Sequence, residues 1–147
     1  MSDAEPSGEL AQFIEEYHRS LDVFTRGDHE PLAALYSRGD DVTLGNPFGP
    51  FVRGFDQVVQ TMQRAAANYR EGRAVGFDRL ALGVSSDLAY LVEVERFEAQ
   101  MGGRDDVSSI ALRCTSVLRP EDGAWRVVHR HADPITSPRT AESVIQG

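Results

Sequence analysis

The sequence feature that most limits the fold is a series of four segments in the C-terminal half whose apolar residues recur with period two. The last two lie within residues 108–133 and are separated by Pro-Glu-Asp-Gly at positions 120–123. Valine, isoleucine, threonine and tryptophan suit a pleated surface, and Pro-Glu-Asp-Gly is a strong turn sequence. The two earlier segments span residues 73–84 and 88–100. Four strands joined by short turns predict an antiparallel sheet.

The N-terminal half has a helical period instead. Apolar residues at three- and four-residue spacing predict an amphipathic helix over residues 10–26 and another helix after Gly54. Pro31 suits the first turn of a short helix between them, and brief strands are predicted at 42–44 and 51–53. The order predicts an α+β fold, in which three helices from the N-terminal half cap a cone-shaped, curved antiparallel sheet. A cone of this kind commonly holds an apolar pocket.

A length of 147 residues fits one domain. We predict a flexible N-terminus at 1–8, a single domain at 9–134 and a loose C-terminal tail at 135–147, because periodicity is weak at both ends. The sequence has no long apolar segment and no charged-then-apolar leader, which predicts a cytoplasmic protein without a membrane span. The single cysteine cannot form an internal disulfide and fits a reducing compartment.

The charge balance limits the partners. The net charge is −8 and the isoelectric point is about 4.9. An acidic chain is a poor electrostatic partner for a phosphate backbone or an anionic lipid surface. We therefore expect neither nucleic acid nor membrane as a partner, and the sequence suggests no cofactor.

Two of the four histidines, His129 and His131, end the last predicted strand. They are two residues apart, so they point to the same face of a strand. One interpretation is a general acid or base, for which His131 at the strand end is the better candidate. A second is a pair of zinc ligands, although no nearby cysteine or aspartate spacing supplies a third. The third is a hydrogen-bonded pair at a sheet end or subunit interface.

Arg113 and Glu95 are the other candidates for chemistry. Inside a pocket, Arg113 would offer a planar fork to a carboxylate or enolate; outside, it would pair with Glu93 or Glu95 across the sheet. Glu93 and Glu95 share a mostly apolar face of their strand. A carboxylate there is either a base with a raised pKa or an ion-pair partner. The candidate catalytic set is therefore His131, Glu95 and Arg113.

The register of the last hairpin decides which of these side chains meet. A four-residue loop at 120–123 would place Arg113 opposite Arg130. A slip of one residue would place Arg113 opposite His131 instead, because strand side chains alternate between faces.

Several stretches carry a family resemblance. They are Asp-Leu-Ala-Tyr at 87–90, Leu-Arg-Cys-Thr at 112–115, Arg-Pro-Glu-Asp-Gly-Ala-Trp at 119–125 and Val-His-Arg-His-Ala-Asp at 128–133. Together with Asn-Pro-Phe-Gly at 46–49, they resemble the SnoaL-like branch of the nuclear transport factor 2-like superfamily. That superfamily includes ketosteroid isomerases, polyketide cyclases, dehydratases, epoxide hydrolases and a non-catalytic kinase association domain. The function must therefore be inferred from the site and not from the fold.

The resemblance argues against steroid isomerisation. Ketosteroid isomerase has an aspartate base directly before the proline of this turn, where the chain has Asn46. An amide does not take a proton at neutral pH. The isomerase tyrosine corresponds to Ser20, with Tyr17 about one turn away, and its second aspartate falls near Thr115.

The sequence is compatible with two functions. The first is an enzyme that acts by proton transfer, as an isomerase, cyclase or dehydratase, on a small apolar carbonyl compound. The second is a non-catalytic ligand-binding or association domain. In either case we expect a small apolar or carboxylate-bearing ligand. The residues expected to line its pocket are Tyr17, Asn46, Phe48, Tyr69, Thr115 and His129.

The two faces of the long strands predict a partner. Residues 88–100 and 107–119 have apolar and β-branched residues on both faces, which a sheet covered on one side does not need. We expect a homodimer through the open sheet face, since twofold pairs are the commonest oligomers. The resemblance implies the same arrangement.

Overall fold

The computed structural model describes residues 2–3 and 8–146. Its helices and strands are β1 (Ser2–Asp3), α1 (Gly8–Phe24), α2 (Glu30–Ala33), β2 (Thr43–Gly45), β3 (Val52–Arg53), α3 (Phe55–Ala66), β4 (Tyr69–Val84), β5 (Ala89–Met101), β6 (Val107–Glu121) and β7 (Ala124–Asp133). A short 3-10 helix at Ala141–Val144 lies within the segment predicted to be a tail. The α+β prediction, with a curved sheet and three helices in the N-terminal half, is confirmed.

Two residues near the N-terminus form a short strand. Residues 2–3 pair with the outer edge of β4, Ser2 opposite Val84. Residues 1 and 4–7 of the segment predicted to be flexible lie outside the described residues.

The strands form one sheet in the order β1-β4-β5-β6-β7-β2-β3. All neighbours are antiparallel except β2 and β7, which run parallel with Thr43 opposite His129. The four long strands are antiparallel as predicted, and the sheet also includes β2, which is parallel to β7. Short turns impose antiparallel neighbours, but β2 and β7 come from distant parts of the chain, so no turn dictates their direction.

The inner face of the sheet packs against α1 and α3 and carries the core. Along β5 the buried side chains alternate strictly. The same face of β6 includes Leu112, Cys114, Ser116 and Leu118. The helices contribute Tyr17 and Leu21 from α1 and Met62 from α3, among other buried residues.

The last hairpin corrects both predicted registers. Its turn has two residues, Asp122 and Gly123, with φ of 52° and 81°. An Asp-Gly pair with both φ positive matches the twist of a tight hairpin, so pairing continues up to the turn. Together with one extra residue in β7, this turn places Arg113 opposite Asp133, and not opposite Arg130 or His131.

A β-bulge in the same hairpin decides which way its side chains point. Leu118 pairs with Val127, but the next pair joins Val117 to His129, so β7 has one extra residue there. One extra residue reverses the alternation of faces beyond it. As a result Arg130 lies on the buried inner face, whereas His129 and His131 lie on the outer face.

Candidate functional site

A small apolar cavity lies between the helices and the inner face of the sheet. Its volume is about 40 Å³. Most of its lining is aliphatic or aromatic, including Leu21, Leu44, Met62, Phe97, Leu112 and Ala132. The polar members of the lining are Thr25, Tyr36, Asn46, Tyr69 and Arg130. The volume holds a few water molecules, well below the several hundred Å³ typical of drug-sized ligand pockets.

Arg130 and Glu95 form a buried ion pair at this cavity. Nη2 of Arg130 donates to Oε1 of Glu95 at 2.5 Å, and Nη1 donates to Oε2 at 2.8 Å. Arg130 is 6% exposed and Glu95 is 1% exposed. Burial alone would lower the pKa of the guanidinium, but the acidic groups around it, with Glu95 in contact, hold that pKa well above its usual range. Both carboxylate oxygens are therefore engaged by the arginine.

The ion pair extends into a hydrogen-bonded chain across the core. Arg130 Nη1 also donates to the Tyr17 hydroxyl at 2.7 Å, and that hydroxyl lies 2.6 Å from Ser116 Oγ. Ser116 Oγ in turn lies 3.6 Å from Cys114 Sγ. Burial raises the pKa of Tyr17 well above its usual value and that of Cys114 to about 12. Both groups are thus neutral at physiological pH. The series of hydrogen bonds connects α1 to β6 and β7.

The Tyr36 hydroxyl has no such partner. Tyr36 is fully buried and lines the cavity. Among the buried side-chain nitrogen and oxygen atoms of residues 8–146, its oxygen is the one without a hydrogen bond. Burial raises the pKa of this hydroxyl, so it keeps its proton at neutral pH. Tyr69, on the same cavity, has its pKa raised to about 12 for the same reason.

The turn between β2 and β3 forms the rim of the cavity. The Asn46 carboxamide oxygen accepts a hydrogen bond from the backbone N–H of Phe48 at 3.0 Å, which is a turn-forming use of asparagine. Phe48 is 49% exposed and meets Tyr69 edge to face, with ring centroids 6.1 Å apart. Pro47, which precedes Phe48 in the turn, also lines the cavity. The rim of the cavity thus includes an aromatic ring that is half exposed to solvent.

The other predicted site residues lie on the outer face of the sheet. Asp133 bridges two of them: its carboxylate is 2.7 Å from Arg113 Nε and 3.3 Å from His131 Nε2. His129 bonds Thr43 through Nδ1 at 2.7 Å, and Thr115 is exposed. The structure thus brings His131, Arg113 and Thr115 to one face, and the sheet separates them from Glu95.

Glu93 shows why Arg113 does not pair with either glutamate. Like Glu95, it is buried on the inner face. Its carboxylate lies 2.7 Å from His18 Nε2 and 3.4 Å from Arg79 Nε. The expected pairing of Arg113 with Glu93 or Glu95 is wrong, because the side chains point to opposite faces.

Of the six residues expected to line the pocket, Asn46, Phe48 and Tyr69 do so. Tyr17 lies beneath it in the Arg130 network, and Thr115 and His129 lie outside. Arg130 and Tyr36 were not predicted. The one sequence signal for Arg130 is an arginine between two histidines on a strand, which must point away from both.

Two other features bear on the kind of protein this is. No described helix is long and apolar enough to cross a membrane. Within residues 2–3 and 8–146, no group of three or more histidine, cysteine, aspartate or glutamate side chains is arranged to hold a metal ion.

Solved structures with this architecture have varied names. A ketosteroid isomerase-like protein from Erwinia carotovora atroseptica superposes with a TM-score of 0.71 at 19% identity, over 90% of this chain and 100% of that one. A candidate dehydratase of the NTF2-like family from Streptomyces avermitilis gives 0.71 at 20% identity, over 88% and 95%. A candidate association domain of a calcium/calmodulin-dependent protein kinase type II from Thiobacillus denitrificans gives 0.69 at 18%, over 92% and 100%. At these identities the likeness shows the fold alone.

The sequence comparisons identify the family. A search of curated proteins finds no match to this chain. The profile of the SnoaL-like domain matches residues 10–136, which includes strands β2 to β7, helices α2 and α3, and all but the first two residues of α1. The resemblance seen in the sequence is confirmed, and the chain belongs to the SnoaL-like domain family.

Proposed function

We propose that this protein binds a small, mostly apolar molecule inside the cone and does not catalyse proton transfer there. The observation that carries the proposal is an apolar cavity that ends on buried polar groups, Tyr36 and Arg130. Apolar walls with a few placed polar groups are the usual design of a small-molecule site. Because the cavity is about 40 Å³, a ligand must enlarge it, and the half-exposed rim residue Phe48 is the side chain we expect to move.

The absence of a free base in the lining favours binding over catalysis. A general base must lie within hydrogen-bond reach of the proton it removes. Within the part of the chain that the structure describes, the cavity lining includes no histidine and no carboxylate. Glu95 has both oxygens on Arg130, and Asn46 is an amide. Steroid isomerisation also needs a base, so its absence from the lining argues against that activity at this site.

Filling the cavity tests this proposal. Ala65 is buried in the lining, whereas Ala67, two residues later, is exposed. Ala65→Phe should abolish binding of isobutylbenzene, measured by ¹H–¹⁵N spectra of the Leu112 and Ala132 amides, because the ring occupies the space of the probe. Ala67→Phe should bind like the wild type. Equal binding by both variants would place the ligand elsewhere.

We further propose a homodimer through the outer sheet face. This face has an exposed apolar surface that includes Leu80, which is 65% exposed, beside Val92 and Val94. These residues and Arg113 line a groove of about 380 Å³. Exposed apolar surface on a pleated face is typical of an interaction site.

A cytoplasmic location is also part of the proposal, since the single cysteine is free and buried.

A charge on this face should separate the subunits. Leu80→Glu would place two carboxylates near the twofold contact and remove apolar area, so the dimer should weaken by at least about tenfold. Sedimentation should change from twice the 16.2 kDa chain mass towards one chain. Val144→Glu, at an exposed position in the tail, is the charge-matched control and should stay dimeric. A wild-type protein that sediments as one chain at micromolar concentration would refute the proposal.

A further inference from the structure

We propose that the cavity selects an uncharged ligand with a carbonyl or similar acceptor oxygen, which the Tyr36 hydroxyl binds, and that it rejects carboxylates. This inference rests on the proposed function and adds the chemical class of the ligand. The sequence suggests an apolar or carboxylate-bearing ligand, and this inference limits the ligand to an uncharged molecule.

Tyr36 supplies the first reason. A buried hydroxyl without a partner costs folding free energy that most proteins avoid. Here Tyr36 is one of the residues that line the cavity, its side chain is fully buried, and its hydroxyl has no hydrogen-bond partner among residues 8–146. A ligand oxygen that reaches this hydroxyl would accept a hydrogen bond from it and satisfy the donor. The remaining walls are mostly apolar, so the rest of the ligand is expected to be apolar too.

The charge state of the site supplies the second reason. Among the residues that the structure describes, Arg130 is the one charged residue in the lining and would be the natural partner of an anionic ligand. Glu95 already neutralises it through two hydrogen bonds, and Tyr17 takes a third. A carboxylate ligand would therefore bring a second negative charge into a buried site beside Glu95. It would lose its hydration without gaining a free cation, and burial of an unpaired charge is strongly unfavourable.

The polar groups at the rim do not offset this charge. Asn46 is a neutral amide whose oxygen accepts a hydrogen bond from the Phe48 N–H, so it adds no positive charge to the site. Tyr69 is neutral at physiological pH, because burial raises its pKa to about 12. The cavity thus offers a neutral hydrogen-bond donor at Tyr36 and an arginine whose charge is already balanced.

Three probes of one shape separate these effects. Phenylacetone has a neutral carbonyl, phenylacetate has a carboxylate of similar size, and isobutylbenzene has neither. Each is titrated into the wild type and Tyr36→Phe at pH 7, and dissociation constants are taken from the cavity amides in ¹H–¹⁵N spectra. Tyr90→Phe, which removes a hydroxyl from a partly exposed tyrosine of the outer face, is the matched control.

We expect phenylacetone to bind the wild type more tightly than phenylacetate, by more than about tenfold. Tyr36→Phe should weaken phenylacetone by about three- to tenfold, the effect of one neutral hydrogen bond, and leave isobutylbenzene unchanged. Tyr90→Phe should bind all three like the wild type. Without a probe, Tyr36→Phe should melt no earlier than the wild type, since it loses an unpartnered hydroxyl.

The other outcomes overturn the inference in distinguishable ways. If phenylacetate binds best, Arg130 recognises anions and the selectivity is the reverse of that proposed. If phenylacetone binds both variants equally, Tyr36 does not recognise the carbonyl, although the cavity remains a binding site. If no probe shifts the cavity amides, the proposed function fails for molecules of this size, and the selectivity fails with it.

Discussion

Replacing Arg130 by methionine should lower the free energy of unfolding by about 3–5 kcal/mol. The change leaves the Glu95 carboxylate buried at 1% exposure without its cation. It also removes the donor to the Tyr17 hydroxyl, 2.7 Å away. Urea denaturation measures the loss directly, because the midpoint falls at constant slope if the native state stays compact.

A double replacement tests the reason for that loss. Changing Glu95→Leu together with Arg130→Met removes both charges, and the double variant should recover most of the stability. Buried ion pairs are costly to break but often neutral to replace by apolar residues. The exposed pair of Arg96 and Asp78, 2.7 Å apart, provides the control. Arg96→Met should change stability by no more than about 1 kcal/mol. A loss that persists in the double variant would show that shape, and not unpaired charge, causes it.

Replacing Gly72 by alanine should lower the free energy of unfolding by about 1–3 kcal/mol. Gly72 lies in β4, where its N–H bonds the Thr25 carbonyl oxygen at 3.1 Å. A Cβ at this position would stand 2.6 Å from that same oxygen and 2.6 Å from the Thr25 Cβ. Neither atom is the end of a flexible side chain, so the backbone after α1 must shift. Thr25 also lines the cavity, so the shift reaches the cavity wall.

Gly76, in the same strand, is the matched control. A Cβ there meets nothing within 4 Å. Gly76→Ala should be neutral or raise stability by about 0.4–1 kcal/mol, because alanine restricts the unfolded chain. Thermal melting of the two variants side by side checks the pair. If Gly72→Ala melts like Gly76→Ala, the close approach of β4 to Thr25 is not a constraint on the fold.

The elements of this protein follow from local spacing. Residues three and four apart lie on one side of a helix and residues two apart lie on one side of a strand, whatever the rest of the chain does. The sequence therefore predicts the apolar stripe of α3, which includes Val58 and Met62. It also predicts the alternation in β5 that places Leu91, Glu95 and Phe97 on one face. The fold class and the family resemblance rest on the same local signals and on their order.

Which residues meet was decided by the tertiary structure. The two-residue turn at Asp122 and the extra residue of β7 together set the faces of the last strand. A shift of one residue exchanges the inner and outer sets, and no local pattern reports such a shift in a strand with polar residues on both faces. That is why the sequence grouped His131 with Glu95 in one candidate site, whereas in the fold the residue that contacts Glu95 is Arg130. The lack of a partner for the Tyr36 hydroxyl also appears only in the tertiary structure, because the residues that line its cavity come from helices and strands far apart in the chain.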